Sequence, residues 1–306
     1  MDTHSLARGR VVVVTGAGRG LGRAHALAFA RAGARVLVND LGVAPDGTSA
    51  QETPAAQVAG EIRACGGEAA VSADDAADPS GAANLVHTAL DRFGRLDTLV
   101  NNAGFLRDRM LVNLDESDWD AVIRVHLRGH FLPMKHAAAH WRAEAKAGRA
   151  PDARIVNTSS GAGLLGAVGQ GNYAAAKAGI TALTLVAAAE FARYGVQVNA
   201  LVPAARTRMT ERVFAGTMAP PPDGAFDEMA PENVSPLVVY LGSTASHGIT
   251  GRVFEAEGGR VSVMDGWHRA ATADKGSRWD PGELDGPVRE LLSKSPAPSP
   301  VYGAAE

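Results

Sequence analysis

Four consecutive valines, Val11–Val14, lead into Thr15 and a glycine-rich run to Gly22, and an alanine- and leucine-rich stretch continues to residue 32. An apolar run without polar alternation suits a strand covered by helices on both faces, so the segment predicts strand, turn and helix. The pattern recurs. Further strands are predicted at residues 35–40, 68–73, 96–101, 154–159, 196–202 and 252–255, with helices at 52–64, 80–93, 117–146, 172–194 and 231–243. Such alternation specifies a doubly wound α/β fold, a seven-stranded parallel sheet with right-handed crossovers in a single domain. From about Val261 the periodicity gives way to Gly, Trp, Arg and Asp, and residues 293–306 are rich in Ser, Pro and Ala. A domain over residues 1–260 is therefore expected, followed by an extension over 261–306 whose last part is disordered and in which Pro287 starts a short helix at 287–292.

Of 306 residues, 46% are hydrophobic and 21% charged, which supports a sizeable core and excludes a disordered chain. Thirty Lys and Arg against 33 Asp and Glu leave a net charge of −3, with no basic footprint for nucleic acid or an acidic membrane. Cys65 has no mate, so an internal disulfide is excluded and a reducing, cytoplasmic setting is expected. No uninterrupted apolar run reaches roughly eighteen residues and the first ten lack a signal-peptide core, so neither a membrane span nor secretion is expected.

The turn TGAGRGLG, residues 15–22, lies between the first strand and the first helix, where backbone amides can face a pyrophosphate and Gly16, Gly20 and Gly22 allow close approach beside Arg19 and Leu21. Asp40 ends the second strand 24 residues after Gly16, close to the spacing of an acid that bonds the adenosine ribose. That favours NAD. Arg19 leaves NADP open, since a guanidinium in the turn can pair with the extra phosphate. Asp75 follows the third strand, where it can accept from adenine or cap the next helix. Asn101, Asn102, Ala103 and Gly104 follow the fourth strand at the carboxyl edge of the sheet, where the asparagines can tie loops and Gly104 leaves room for ribose.

Tyr173 and Lys177 are four apart in a predicted helix and leave the same face. A neighbouring ammonium favours the phenolate, so the pair predicts a tyrosine pKa lowered from about 10 and able to exchange a proton with an alcohol or ketone. Ser160, thirteen residues earlier at the end of the fifth strand, is placed to hold the substrate oxygen, with Ser159 as its rival.

The motifs TGAGRGLG, NNAG (residues 101–104), Ser160 and YAAAK (residues 173–177), in this order, resemble the short-chain dehydrogenase/reductase family over residues 9–259. The resemblance implies a Rossmann-like domain in which Tyr173 is the acid/base and Lys177 also binds the nicotinamide ribose. VNDLG (38–42), LRDRM (106–110), RVHLRGHF (124–131), GQGNYAAAKAG (169–179) and PAARTRMT (203–210) further resemble the dehydrogenase part of peroxisomal multifunctional enzyme type 2, a 17β-hydroxysteroid dehydrogenase group with bacterial relatives. That group implies NAD-linked oxidation of 3-hydroxyacyl-CoA or hydroxysteroid substrates. His126 stands where many members carry an Asn that holds a relay water, which makes it a relay candidate. Ala204 replaces the usual glycine after Pro203, and Thr207 matches a hydroxyl position near the carboxamide.

Leu164, Leu165, Val168 and Phe105 are candidates for an apolar wall along an acyl chain or steroid, and Arg206, Arg208 and Arg212 for contacts with coenzyme A phosphates. The segment 178–191 is apolar around most of its circumference, and with the preceding long helix it predicts a homodimer or homotetramer. Two other functions remain open: NADPH-dependent reduction of a 3-oxoacyl carrier protein, and a non-catalytic dinucleotide sensor. No metal site is expected.

Overall fold

The computed structural model describes residues 5–42, 53–207, 209–211, 218–222, 224–297 and 299–301. Its strands are β1 (Val11–Val14), β2 (Arg35–Asn39), β3 (Ala69–Ser72), β4 (Thr98–Asn101), β5 (Ala153–Thr158), β6 (Val196–Ala204), β7 (Val253–Glu257) and β8 (Arg260–Met264). They form one sheet in the order β3-β2-β1-β4-β5-β6-β7-β8, parallel up to β7. The seven expected strands are present, and an eighth corrects the count. A two-residue Gly258-Gly259 turn folds β8 back antiparallel, with Val253 opposite Met264 and Glu257 opposite Arg260. Because β8 is an edge strand with Val261 and Val263 both 60% exposed, its short RVSVM pattern lacks the buried run that marks the inner strands.

Successive strand residues face opposite layers. Val12, Val14, Val36 and Val38 pack with Phe29 of α1 (Gly20–Arg31), Ile62 of α2 (Pro54–Ala64) and Leu241 of α8 (Ser235–Leu241). Val11, Val13, Leu37 and Ile155 pack on the other face with Leu85 of α3 (Pro79–Phe93), Trp141 of α5 (Gly129–Lys146) and Ala187 of α7 (Gly171–Phe191). Burying each of the larger side chains stabilises the fold by ~1.5–3 kcal/mol, which is why the valine runs need helices on both sides. The strand order reverses between β2-β1 and β4, and this opens a crevice at the carboxyl ends of the strands.

The helix expected over 117–146 is broken into α4 (Glu116–Ile123), a π-helical turn (Arg124–Arg128) and α5. A short α6 (Gly161–Leu165) follows β5, and α9 (Asp285–Lys294) occupies part of the carboxyl-terminal stretch. Near the end of the chain, Val301 packs against Gly166 after α6. The expected disorder falls partly on residues 302–306, outside the described ones, as do residues 43–52. Residues 171–194, which include α7, have the length and mean hydropathy of a membrane span. Their alanines raise hydropathy without an unbroken bulky run, and Ala176, Ile180 and Thr184 are buried as in a core helix.

Candidate active site

The glycine turn closes over the reversal point. Gly16 has φ +62°, and a Cβ there would lie 2.7 Å from the Ala103 Cα, so this position needs glycine on both counts. Thr15 Oγ1 accepts from the Asn102 and Ala103 amides at 2.9 and 3.2 Å, and the Asn102 side chain donates back to the Thr15 and Gly16 carbonyls. Asn102 therefore laces β4 to the turn, whereas Asn101 is buried and donates to Asn157 on β5 at 2.9 Å. Of the two asparagines expected to tie loops, the second one of NNAG holds the turn and the first ties β4 to β5. At the start of α1, Arg19 takes the N-cap position without a side-chain cap, and no acid occupies the first turn. The amides of Gly20, Leu21 and Gly22 thus form a donor-rich end fit for an anionic group.

Asp40 reaches this turn. One carboxylate oxygen accepts from the Gly18 amide at 3.1 Å and the other from Gly42 at 2.9 Å, which fixes the acid beside the glycine backbone. Arg19 is exposed and has no ion-pair partner among the described residues. Asp75 accepts from the Ala77 amide at 2.8 Å and pairs with Arg124 at 2.5 Å, while Asp78 is the residue that caps α3. Pro203 lies at the end of β6, and Thr207 packs toward Gly20, its methyl 3.6 Å from a Cβ built there. Arg206 is paired with Asp227 rather than free, and Arg208 and Arg212 lie outside the described residues.

Ser160 and Tyr173 come together. Ser160 caps α6 by accepting from Ala162 at 3.2 Å, and its hydroxyl faces the Tyr173 phenol closely enough to draw the phenol's pKa down. Ser159 instead donates to the Lys177 carbonyl at 2.9 Å, which holds α7 against β5. The Lys177 ammonium donates to the Thr158 carbonyl at 2.7 Å and lies 5.5 Å from the centroid of the Tyr173 ring. The start of α7 is held in turn: Asn172 donates to the Arg107 carbonyl at 3.0 Å and Gln170, at the N-cap, to Asp108 at 2.9 Å. Neither Asn172 nor Asp108 carried a sequence signal of its own, since their partners lie more than 60 residues away.

The expected lowering of the tyrosine pKa is not what this structure has. Burial drives the Tyr173 phenol up to about 12, opposed by the Ser160 hydroxyl and reinforced by Asp108. Burial also pushes the Lys177 ammonium down to about 7, so a half-buried phenol and a buried ammonium stand together where both charges are disfavoured. His126 is buried and pushed down to about 3 by burial and by Lys177, so it is neutral at ordinary pH. Its Nε2 contacts the Phe105 backbone, not the dyad's polar atoms. The space over Gly104 is taken by this imidazole: a Cβ on Gly104 would meet His126 Cε1 at 2.2 Å. Of the apolar candidates, Phe105 stacks toward His126, Leu164 packs against the Ala200–Val253 cluster, and Val168 is exposed. No metal-binding cluster of His, Cys, Asp and Glu is present among the described residues.

A Rossmann-like sheet with a Ser, Tyr and Lys converging at its carboxyl edge defines an oxidoreductase that acts on the CH–OH group of a secondary alcohol with a nicotinamide dinucleotide. Residues 10–217 match the short chain dehydrogenase family, and the chain belongs to it. It is 48% identical over 292 residues to "Hydroxyacyl-CoA dehydrogenase ChsB1" of Mycobacterium tuberculosis, covering 93% of this chain and 89% of that protein. It is 46% identical over 233 residues to the peroxisomal multifunctional enzyme type 2 of Drosophila melanogaster, covering 76% of this chain and 36% of that longer protein. In the crystal structure of a short chain dehydrogenase from Mycobacterium avium, 57% identical, the same fold recurs with a TM-score of 0.88 over 98% of this chain and all of that one.

Proposed function

We propose that the protein uses NAD to oxidise, reversibly, the hydroxyl of a 3-hydroxyacyl-CoA or hydroxysteroid. The convergence of Ser160, at the start of α6, on the Tyr173 phenol, with the Lys177 ammonium 5.5 Å from the Tyr173 ring centroid, is the observation that bears most weight. Ser160 Oγ holds the substrate oxygen and Tyr173 exchanges the hydroxyl proton, taking it in the oxidative direction. Lys177, anchored at Thr158, presents its ammonium to the phenol and to the cofactor ribose. Bound oxidised nicotinamide supplies the acceptor for the hydride leaving the carbinol carbon and a positive charge that favours the phenolate. The uncapped start of α1 would hold the pyrophosphate, and Asn102, Ala103, Pro203 and Thr207 border the space for the remainder.

Asp40 supports NAD over NADP, because a carboxylate fixed over the turn accepts from a free 2′-hydroxyl and repels a 2′-phosphate. The exposed Arg19 favours the second reading, an NADPH-dependent 3-oxoacyl reductase. A panel of 3-hydroxyacyl-CoA thioesters and hydroxysteroids, each assayed with NAD and with NADP, separates them. NADH formation with one of these alcohols is expected. Turnover confined to NADPH and 3-oxoacyl carrier protein would establish the second reading, and cofactor binding without any turnover would leave a sensor.

We further propose a homo-oligomer built through α5 and α7. A groove of about 360 Å³ between them is lined by Phe131, Met134, Leu183, Val186 and Phe191, with Lys135 and Glu190 at its rim supplying both signs for a self-complementary contact. The exposed Cys65 thiol suits a reducing, cytoplasmic setting.

A further inference from the structure

The π-helical turn carries His126 into the site, and wide turns of this kind concentrate where function demands an off-register side chain. Three contacts surround the buried imidazole. Its Nε2 is 2.7 Å from the Phe105 carbonyl oxygen and 3.1 Å from the Phe105 amide nitrogen. Its Cε1 occupies the volume that any side chain on Gly104 would need. Its ring meets the Tyr173 ring at 86°, with centroids 5.2 Å apart. Behind it, the Phe105 ring lies 6.1 Å away and carries the Arg107 guanidinium 5.0 Å from its own centroid. The result is a continuous column from exposed Arg107 through Phe105, His126 and Tyr173 to Lys177.

We propose that His126 is a positioning residue that orients the Tyr173 phenol toward Ser160, with Phe105 as its backing and Gly104 as the residue that admits the ring. The inference rests on Tyr173 being the acid/base. A perpendicular ring contact is directional and restricts the sideways swing of the Tyr173 ring that would carry its hydroxyl away from Ser160, which a smaller carboxamide bonded to the same Phe105 backbone does not do. A neutral ring can also stand near Lys177 without repelling its ammonium, and burial keeps this one neutral. Nδ1 has no partner among the described residues, so the role belongs to the ring's shape and to Nε2, not to a proton passed through both nitrogens. The groups that face Tyr173 are Lys177 on its own helix, Asp108 from the loop before it, Ser160 at the start of α6 and His126 from the π-helical turn, with buried His130 one turn beyond.

The test compares His126→Asn, His126→Phe and Gly104→Ala with wild type and Tyr173→Phe. Readouts are kcat, KM, the pH–rate midpoint, NADH affinity by fluorescence and the 13Cζ resonance of Tyr173, assigned by its loss in Tyr173→Phe. His126→Asn is expected to lower kcat at least tenfold, to move both the midpoint and the Tyr173 resonance, and to leave NADH affinity within about twofold. His126→Phe, which keeps a ring, is expected to recover part of kcat. Gly104→Ala displaces the imidazole without removing it, should repeat the loss of kcat and the shifts of midpoint and resonance, and decides the matter if His126→Asn does not fold. Wild-type kcat and resonance in folded His126→Asn and Gly104→Ala would overturn the inference. So would losses of kcat and NADH affinity in equal proportion, the mark of a merely structural role. Wild-type turnover in Tyr173→Phe would instead overturn the acid/base assignment itself.

Discussion

At the scale of the residue, the site depends on polar groups held in a dry place. Tyr173 sits with its proton bound more tightly than in water and Lys177 with its proton bound less tightly, because burial penalises both ions. Replacing Tyr173 with Phe removes the proton carrier while keeping the ring, so kcat should fall by ~10²–10⁴ with the fold intact, as measured by steady-state turnover alongside circular dichroism. Asp40 supplies a second test. Charged hydrogen bonds of this type are worth ~1.5–3 kcal/mol, so Asp40→Ser should cut the preference for NAD over NADP by roughly 10–100-fold in kcat/KM. An unchanged preference would remove Asp40 from the ribose site.

At the scale of elements, α1 and α8 are joined by His25, whose Nδ1 lies 2.9 Å from Ser235 Oγ in a fully buried contact. Burial pushes this imidazole down to about 3, below the value of about 6.5 that it takes in an unfolded chain. The unfolded chain therefore takes up the proton first. The contribution to stability is complete above pH 6.5 and is lost at about 1.4 kcal/mol per pH unit as pH falls toward 3. Urea unfolding at pH 7 and pH 5 should show wild type losing roughly 2 kcal/mol more than His25→Gln from this source. Equal losses in the two proteins would refute the assignment.

The same scale shows what could be read from sequence. Val11–Val14 and the glycine turn announced the cofactor-side half of the fold, because a doubly covered strand must be continuously apolar. Tyr173 and Lys177 were legible through helical spacing, and the choice between Ser159 and Ser160 was not. Both serines end the same strand, and only packing decides that Ser159 turns to the Lys177 carbonyl while Ser160 meets the phenol. The π-helical turn was equally hidden, since a single widened turn leaves the apolar periodicity of residues 117–146 almost intact. β8 was missed because an edge strand needs no buried run.

At the scale of the whole molecule, α7 serves two neighbourhoods. Its buried face carries Lys177 and Ile180, while Leu185 and Val186 on the other side are 49% and 53% exposed. A charge placed in the apolar groove should prevent a second copy from closing over it. Val186→Glu is thus expected to lower the mass found by light scattering to one subunit, or to raise the dissociation constant of the assembly at least tenfold. An unchanged mass would place the subunit contact elsewhere.

The π-helical turn also imposes a constraint on chain length. Downstream of it, the Trp141 indole nitrogen donates to the Leu96 carbonyl at 2.8 Å and so moors α5 to the strand side of the molecule. Each residue of an α-helix advances the azimuth by about 100°, so removing one residue from 124–128 could not return both His126 and Trp141 to their berths. Evolution can exchange side chains along this stretch, but a single-codon deletion there would force the chain to choose between its anchor and its chemistry.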